Sequence, residues 1–317
     1  MKILIIRWGT LGDLVLTFPV LYTLKQEGFE VNLFTRSNFL NLSLELGLIN
    51  GGETLDSTKL LPLFSDTPLP SNLREFITSH DFVVSYASSW EKINCILYTL
   101  LKERLLVSPI DRGTISHHHI TELLFEPIKK LGIKKVIPFP GMWKESGNTI
   151  LIHPGSGGKW KRWPMEKFQS LIDFLYASFN QEWKSSPLPV KIILGEAEEK
   201  EIHHWKKISE VIFSPSLPLL KNILLQGKIF IGNDSGVTHL SAFLGVPTLA
   251  IFGPTSPRVW GPWGKRVKII YRKYPCSPCS ETERAKCKDF PCLQNISAEE
   301  VSKTIKETLQ FLEMEKG

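Results

Sequence analysis

The stretch that decides the fold spans residues 229–240 and reads IFIGNDSGVTHL. It opens with a short apolar run typical of a buried strand, breaks at Gly232, and resumes an apolar helical pattern at Val237. The Asn-Asp-Ser between them favours a helix N-cap, because side-chain oxygens accept the N–H groups that a first turn leaves unpaired. A second apolar run covers residues 246–252 and ends in a Gly-Pro-Thr turn. The pattern therefore predicts a strand, a helix and a second strand, which is a βαβ unit of a parallel sheet.

The turn at the start of this helix is also a candidate anion site. Gly236 removes a side chain from the first turn, so a ligand can approach the backbone closely. Unpaired N–H groups and the positive end of the helix dipole favour a negative charge there. In open α/β sheets, ligands bind at this carboxyl edge of the strands. An ordinary capped helix is the alternative interpretation of the same residues.

The length and the charge set limits on the rest. A chain of 317 residues favours two domains. Its longest apolar run, residues 14–24, is about half of what a bilayer-spanning helix needs and has no signal-peptide cleavage site. We therefore expect a cytoplasmic protein that can contact a membrane surface. The net charge is +6 and the whole excess lies in residues 146–317, which favours an anionic small molecule. The sequence has no nucleic-acid motif, so we expect no nucleic-acid partner.

The chain begins with KILIIR at residues 2–7, a continuous apolar run that predicts a buried parallel strand. A turn with two glycines follows, and the helical pattern resumes at Leu14. Asp13 lies at this helix start. It is either the N-cap or a general base, which needs a carboxylate within reach of a hydroxyl.

The second half restarts the alternation. Residues 149–153 predict a strand, and residues 154–164, PGSGGKWKRWP, predict a phosphate-binding loop, because backbone donors and three cations lie close together. The spacing is not that of a P-loop. A strand at residues 190–195 is followed by Glu198, which either binds ribose hydroxyls or offsets the dipole at the start of a helix.

Pro and Gly are dense around residues 138–148, which marks a linker. We expect an acceptor-binding Rossmann-like domain at residues 1–140, a linker at 141–147, a donor-binding Rossmann-like domain at 148–296 and a closing C-terminal helix at 297–317. The fold class is thus α/β, with two parallel sheets that face each other across a cleft. That architecture suits two substrates.

Four of the five cysteines cluster near the end of the second half. In a cytosolic chain such spacing favours zinc over disulfides, although the last pair is looser than in a zinc ribbon. A structural zinc site and a thiol-lined loop both stay open as interpretations. The residues concerned are Cys276, Cys279, Cys287 and Cys292.

Taken together, these motifs resemble the bacterial heptosyltransferases of glycosyltransferase family nine, which have the GT-B fold of two Rossmann-like domains. The resemblance covers nearly the whole chain and rests on four motifs. They are the opening strand with its Gly-Asp turn and Thr17-Phe18-Pro19, the phosphate loop HPGS with KRWP, the stretch GNDSGVTHL with FGPT, and the cysteine cluster.

The resemblance implies a role for each matched residue. Asp13 would be the base that deprotonates the acceptor hydroxyl, and Lys161 would stabilise the departing diphosphate. The reaction would be a direct inverting displacement that requires no cofactor, and the sequence agrees in having no Asp-x-Asp metal pair. The implied donor-binding residues are Ser156, Lys161, Glu198, Asp234, Ser235, Gly236, Val237 and His239.

The sequence departs from the family at residues 85–92, SYASSWEK, where members often carry an Asp-x-Gln-Gly-like segment that binds the acceptor. Lys92 is the candidate acceptor-binding residue there. The implied function is transfer of heptose from ADP-heptose to the inner core of a lipid-linked lipopolysaccharide precursor, at the inner face of the cytoplasmic membrane. The alternatives are another nucleotide sugar and another surface glycan, or a nucleotide-sugar-binding module without catalysis.

Overall fold

The structure is a computed structural model that describes residues 1–54, 58–87, 92–108, 118–145, 147–182 and 188–314, with the backbone alone for Lys59 and residues 178–182. The chain divides into two compact units, Met1–Phe139 and Pro140–Gly317. The predicted linker, residues 141–147, lies in the second unit. There the N–H groups of Met142 and Trp143 both donate to the carbonyl of Leu244.

The first unit contains a five-stranded parallel sheet covered by helices. Its strand order is β3-β2-β1-β4-β5, so the chain fills one side of β1 and then the other. The strands are β1 (Lys2–Ile6), β2 (Glu30–Thr35), β3 (Gly51–Thr54), β4 (Phe82–Ser85) and β5 (Leu105–Val107). The helices are α1 (Leu11–Gln26), α2 (Ser37–Glu45), α3 (Ser71–Thr78), α4 (Lys92–Leu101) and α5 (Ile120–Lys129), with 3₁₀ turns at Thr58–Leu63 and Lys102–Arg104.

The second unit contains a six-stranded parallel sheet in the order β11-β10-β9-β6-β7-β8. The strands are β6 (Thr149–His153), β7 (Val190–Leu194), β8 (Glu210–Phe213), β9 (Gly227–Asn233), β10 (Thr248–Phe252) and β11 (Val267–Tyr271). The helices are α6 (Met165–Glu182), α7 (Ile202–Trp205), α8 (Leu217–Leu225), α9 (Gly236–Phe243), α10 (Pro257–Trp260), α11 (Glu281–Lys286), α12 (Pro291–Gln294) and α13 (Ala298–Met314). Two 3₁₀ turns lie at Lys159–Lys161 and Glu196–Glu201.

Each sheet has one point at which the strand order reverses. In the first unit it lies between β1 and β4, and in the second between β6 and β9. Loops that leave neighbouring strands in opposite directions open a crevice at such a point, and this is where doubly wound sheets bind ligands. Asp13 follows β1, and both the predicted phosphate loop and the stretch at 233–240 border the crevice between β6 and β9.

The C-terminal helix α13 closes the second unit. Its buried side chains recur at helical spacing and join the core that β6, β7 and β9 also line. Ser297 caps the helix, since its hydroxyl oxygen accepts from the N–H of Glu300 at 3.1 Å. Within the described residues, no helix is both long enough and apolar enough to span a bilayer.

Candidate active site

The N-terminus of α9 forms as the sequence predicts. β9 ends at Asn233, and Ser235 has the extended backbone of an N-cap, with its hydroxyl oxygen accepting from the N–H of Thr238 at 3.3 Å. Gly236 and Val237 are the first two residues of the helix, and first-turn N–H groups have no partner within a helix. These two residues are partly exposed within a stretch that is otherwise buried. The positive end of α9 is therefore accessible at this point.

Asp234, directly before the N-cap, collects polar partners from three parts of the unit. Its Oδ2 lies 2.7 Å from Nζ of Lys161 and accepts from the hydroxyl of Thr255 at 2.7 Å. Its Oδ1 lies 3.6 Å from Nε2 of His239. Burial alone would raise the pKa of Asp234, but the His239 ring and the Lys161 charge outweigh it and lower that pKa to about 2. A 5% exposed carboxylate is thus held ionised beside the helix N-terminus.

The predicted phosphate loop is tied to the end of β9 by hydrogen bonds. The side-chain amide of Asn233 donates to the carbonyl of Pro154 at 2.8 Å and accepts from the N–H of Trp163 at 2.9 Å. The hydroxyl of Ser156 donates to the backbone carbonyl of Asp234 at 2.8 Å. These bonds bring Ser156 and the Lys159–Lys161 turn to the N-terminus of α9.

Glu198 lies beneath this loop and is 3% exposed. One carboxylate oxygen pairs with Arg162 and the other accepts from the N–H of Gly195 at 3.0 Å. Arg162 also reaches Glu201 at 3.1 Å. Glu198 therefore lies in the first turn of the Glu196–Glu201 helix and bonds back to its N-cap, while its ribose-binding role stays a prediction.

His239 lies on the first turns of α9 and is 4% exposed. Its Nε2 faces Asp234, and its Nδ1 has no hydrogen-bond partner among the described residues. Buried polar atoms normally have a partner, so an unpaired ring nitrogen at a helix N-terminus is typical of a site that a ligand completes.

Asp13 lies at the corresponding edge of the first unit, where the structure corrects one interpretation. The N-cap of α1 is Thr10 and not Asp13, because the helix begins at Leu11, three residues before the predicted start. Asp13 is the third helical residue, and its Oδ2 accepts from the N–H and the hydroxyl of Thr10, each at 2.8 Å. Gly9, at φ +124°, permits this close turn, since a Cβ there would lie 2.6 Å from Asp13 Oδ2.

The other oxygen of Asp13 faces a buried cation. Arg7 Nη2 lies 3.3 Å from Asp13 Oδ1, and the side chain of Arg7 is 9% exposed. Burial lowers the pKa of Arg7, and the Asp13 charge offsets that effect in part. The side chain of Asp13 is itself 34% exposed, so a ligand can reach its carboxylate.

Lys92, the candidate acceptor residue, is the first residue of α4. Its ammonium group pairs with Asp66, and its side chain is 40% exposed. Residues 88–91, half of the segment that departs from the family, lie outside the described residues.

The four clustered cysteines are all free thiols. Burial raises the pKa of Cys279 to about 12 and that of Cys292 to about 11, and the neighbouring Cys276 adds to both shifts. Across the described ranges, no three Cys, His, Asp or Glu side chains are grouped so that they could hold a metal ion. The structural zinc site and the thiol-lined loop therefore both stay predictions.

With this geometry in place, comparison with known proteins gives the relatives of the chain. Residues 139–288 match the family described as glycosyltransferase family 9 (heptosyltransferase). The chain is also 25% identical to lipooligosaccharide heptosyltransferase 2 of Campylobacter jejuni, over 98% of this chain and 99% of that relative. Residues 139–288 are thus similar to a glycosyltransferase family 9 domain. The chain is an enzyme that transfers a glycosyl group.

Solved structures share the fold of this chain. E. coli heptosyltransferase WaaC with ADP has a TM-score of 0.71 at 19% identity, covering 97% of this chain and all (100%) of that chain. E. coli ADP-heptose LPS heptosyltransferase II has a TM-score of 0.73 at 16% identity, covering 99% and 100%. At these identities the likeness establishes the fold, and it confirms the predicted α/β class with two Rossmann-like domains of the GT-B type.

Sequence reasoning missed three residues of the candidate site. Asn233 joins the two loops, Thr255 binds Asp234, and Arg162 anchors Glu198. Each lies inside a motif that the sequence displays, but its partner is distant along the chain. A signal existed for Asn233 alone, because a polar residue that ends a central buried strand requires a hydrogen-bond partner.

Proposed function

We propose that this enzyme is an inverting heptosyltransferase that needs no metal ion and moves heptose from ADP-heptose to the inner core of a lipopolysaccharide precursor. The observation that carries the proposal is the meeting of Lys161, Asp234 and the accessible N-terminus of α9 at one edge of the sheet. The names of the similar proteins mention heptosyl transfer, ADP and ADP-heptose, which supports ADP-heptose as the donor.

The diphosphate of the donor would bind at the start of α9. The N–H groups of Gly236 and Val237 would donate to it, and the helix dipole would favour its charge. Lys161, with a 25% exposed side chain, would neutralise the terminal phosphate. Ser156 would donate its backbone N–H to the diphosphate, since its hydroxyl already donates to the backbone carbonyl of Asp234. Ser235 and His239 would line the same turn.

The sugar and the ribose would bind on either side of the diphosphate. Asp234 is ionised and would accept from hydroxyl groups of the donor sugar, because carboxylates accept strongly from O–H groups. Glu198 would bind the ribose, as the resemblance implies. Its present bonds to Arg162 and Gly195 make this the assignment that most needs a direct test.

The reaction would be a single displacement. Asp13 would take the proton of an acceptor hydroxyl, whose oxygen would form a bond to the anomeric carbon of heptose while the bond from that carbon to the terminal phosphate oxygen of ADP breaks. A single displacement inverts the configuration at that carbon. Lys161 and the N-terminus of α9 would stabilise the charge that develops on the departing ADP, which is the task a metal ion performs in other transferases.

The acceptor would be bound by the first unit, where Asp13 and Lys92 lie. Lys92 would attract an anionic acceptor, and its exposed ion pair with Asp66 would break when the acceptor binds. Exposed ion pairs contribute little, so this exchange requires little free energy. Because the acceptor is lipid-linked, the enzyme would work at the inner face of the cytoplasmic membrane.

The test is a transfer assay with the full chain, ADP-heptose and an inner-core precursor that lacks heptose, carried out in EDTA. Mass spectrometry should show the gain of one heptose, and NMR should show an anomeric configuration opposite to that of the donor. UDP-sugars and GDP-sugars run in parallel. Transfer from one of those alone, nucleotide-sugar binding without any transfer, or a strict need for Mg²⁺ would each contradict the proposal.

A further inference from the structure

The residue next to Lys161 has an unusual environment. Trp160 belongs to the Lys159–Lys161 turn, and the guanidinium of Arg284 lies 4.2 Å from the centre of its ring. The Lys161 ammonium lies 5.1 Å from the same ring centre. Both distances are within the roughly 6 Å over which a cation is attracted to an aromatic face. Two cations therefore share one indole, and one of them is the proposed phosphate-binding lysine.

The indole is held in place on its edge as well. A Cβ added to Gly158 would lie 2.6 Å from the indole nitrogen of Trp160, so the ring packs directly on the backbone two residues before it. Arg284 is 27% exposed and also lies 3.7 Å from Glu281, whose side chain is 73% exposed. Such an exposed ion pair contributes little, so the stack on Trp160 is the stronger of these two contacts.

The segment that carries Arg284 is itself anchored beside the site. The hydroxyl of Ser277 donates to the carbonyl of Gly253, and the N–H of Cys279 donates to that of Pro254 at 2.8 Å. The next residue, Thr255, donates to Asp234. Residues 276–286 thus connect the turn after β10 with the turn that carries Lys161. Their contacts reach Trp160, which is next to Lys161, and Pro254, which is next to the Thr255 that binds Asp234.

We infer that Arg284 is a positioning residue for the donor site: by stacking on Trp160 it holds the Lys159–Lys161 turn so that Lys161 meets the terminal phosphate of a nucleoside diphosphate. This inference rests on the proposed function. A lysine side chain has several rotatable bonds, and fixing its position before the ligand arrives lowers the entropy lost on binding. This gives a role to the segment between Cys276 and Cys292, which would position the Lys159–Lys161 turn through Arg284.

The test measures the affinity of the full chain for ADP and for AMP by calorimetry. Arg284→Ala should weaken ADP binding by about three- to tenfold, the range that a partly buried cation–aromatic contact supplies. AMP binding should stay unchanged, because AMP lacks the terminal phosphate that Lys161 would bind. Lys286→Ala is the matched control, since it removes an exposed positive charge from the same helix. It should leave both affinities unchanged.

A double-mutant cycle separates positioning from a general structural effect. If Arg284 acts through Lys161, then Arg284→Ala should have no further effect on ADP affinity once Lys161→Ala is present. Arg284→Lys and Trp160→Phe keep a cation and an aromatic face respectively, so each should retain more affinity than the alanine variant at its position. If Arg284→Ala does not fold, these two variants still test the inference.

Each outcome is decisive. Three outcomes would overturn this inference and leave the proposed function unaffected. They are equal ADP affinity of Arg284→Ala and the unaltered chain, equal losses for ADP and AMP, and additive losses in the cycle. Failure of the unaltered chain to bind ADP, UDP or GDP would instead overturn the proposed function, and the inference with it.

Discussion

Nζ of Lys161 lies 2.7 Å from Oδ2 of Asp234, the residue directly before the N-cap of α9. The pair joins the loop after β6 to the loop after β9 at the point where the strand order reverses. Asp234 is 5% exposed and Lys161 is 25% exposed, so the carboxylate is buried while the ammonium group can still reach a ligand. The lysine is therefore fixed at the helix N-terminus before any ligand binds.

This arrangement predicts the effect of removing the cation. Lys161→Ala should lower turnover by roughly two orders of magnitude or more, because the charge on the departing diphosphate loses a preorganised partner. Steady-state kinetics in EDTA measures it. Lys159→Ala, which removes an exposed charge from the same turn, should remain close to full activity. Turnover of Lys161→Ala equal to that of the control would place the leaving-group stabilisation elsewhere.

The lowered pKa of Asp234 predicts a dependence of stability on pH. With a pKa of about 2 in the folded protein and an ordinary value of 3.8, its ionised form contributes stability above pH 4 that is lost as the pH falls through 2. That contribution is on the order of 2 kcal/mol. Asp234→Asn lacks it, so the melting temperature of the variant should lie several degrees below that of the unaltered chain at pH 7.

The difference in melting temperature between the two proteins should then shrink as the pH falls from 5 towards 2. Calorimetry across that range measures it, with Asp173→Asn as the control, since Asp173 is exposed on α6. A difference that stays constant over the range would mean that Asp234 does not ionise in the way proposed.

The variant Asp13→Asn can separate the structural role of Asp13 from its chemical role. As the third residue of α1 it accepts from the N–H of Thr10, and an asparagine amide oxygen can accept the same bond. Asp13→Asn should therefore keep the bond to Thr10, and the loss of the charge that faces the buried Arg7 should lower the melting temperature by several degrees without unfolding the protein. It should lower turnover by roughly 10²–10⁴, because an amide cannot serve as a general base. A stable variant with nearly full activity on its acceptor would reduce Asp13 to a capping residue.

The ribose role of Glu198 can be tested with the ligand instead of the protein alone. If Glu198 accepts from the 2′-hydroxyl, then 2′-deoxy-ADP should bind more weakly than ADP to the unaltered chain, by about tenfold for a hydrogen bond to a charged group. That difference should vanish in Glu198→Gln. If Glu198 binds only Arg162 and Gly195, the substitution should lower the stability of the protein, while the preference for ADP over 2′-deoxy-ADP persists.

Much of the fold could be predicted because its signals are local. The apolar runs predicted at 2–7, 149–153 and 229–231 became the central parallel strands β1, β6 and β9, and turn residues marked the ends of those strands. The N-cap at Ser235 was predictable because a cap depends on residues within one turn. At α1 the same reasoning placed the helix start too late, because Gly12 lies inside the first turn and masks the cap at Thr10.

The tertiary contacts of the site could not be predicted in this way. The pairing of Lys161 with Asp234 and the stacking of Arg284 on Trp160 join residues distant in sequence, and no local pattern encodes them. The cysteines show the same limit. Their spacing suggested zinc, but whether four thiols can bind one ion depends on the path of the intervening chain, which here includes α11 and α12.

The most direct test of the central claim is a crystal structure of the full chain with ADP. The diphosphate should lie at the N-terminus of α9, with the N–H groups of Gly236 and Val237 and the ammonium of Lys161 about 2.7–3.2 Å from phosphate oxygens. ADP bound in the second unit away from α9, or bound there with Lys161 still directed only at Asp234, would contradict the account.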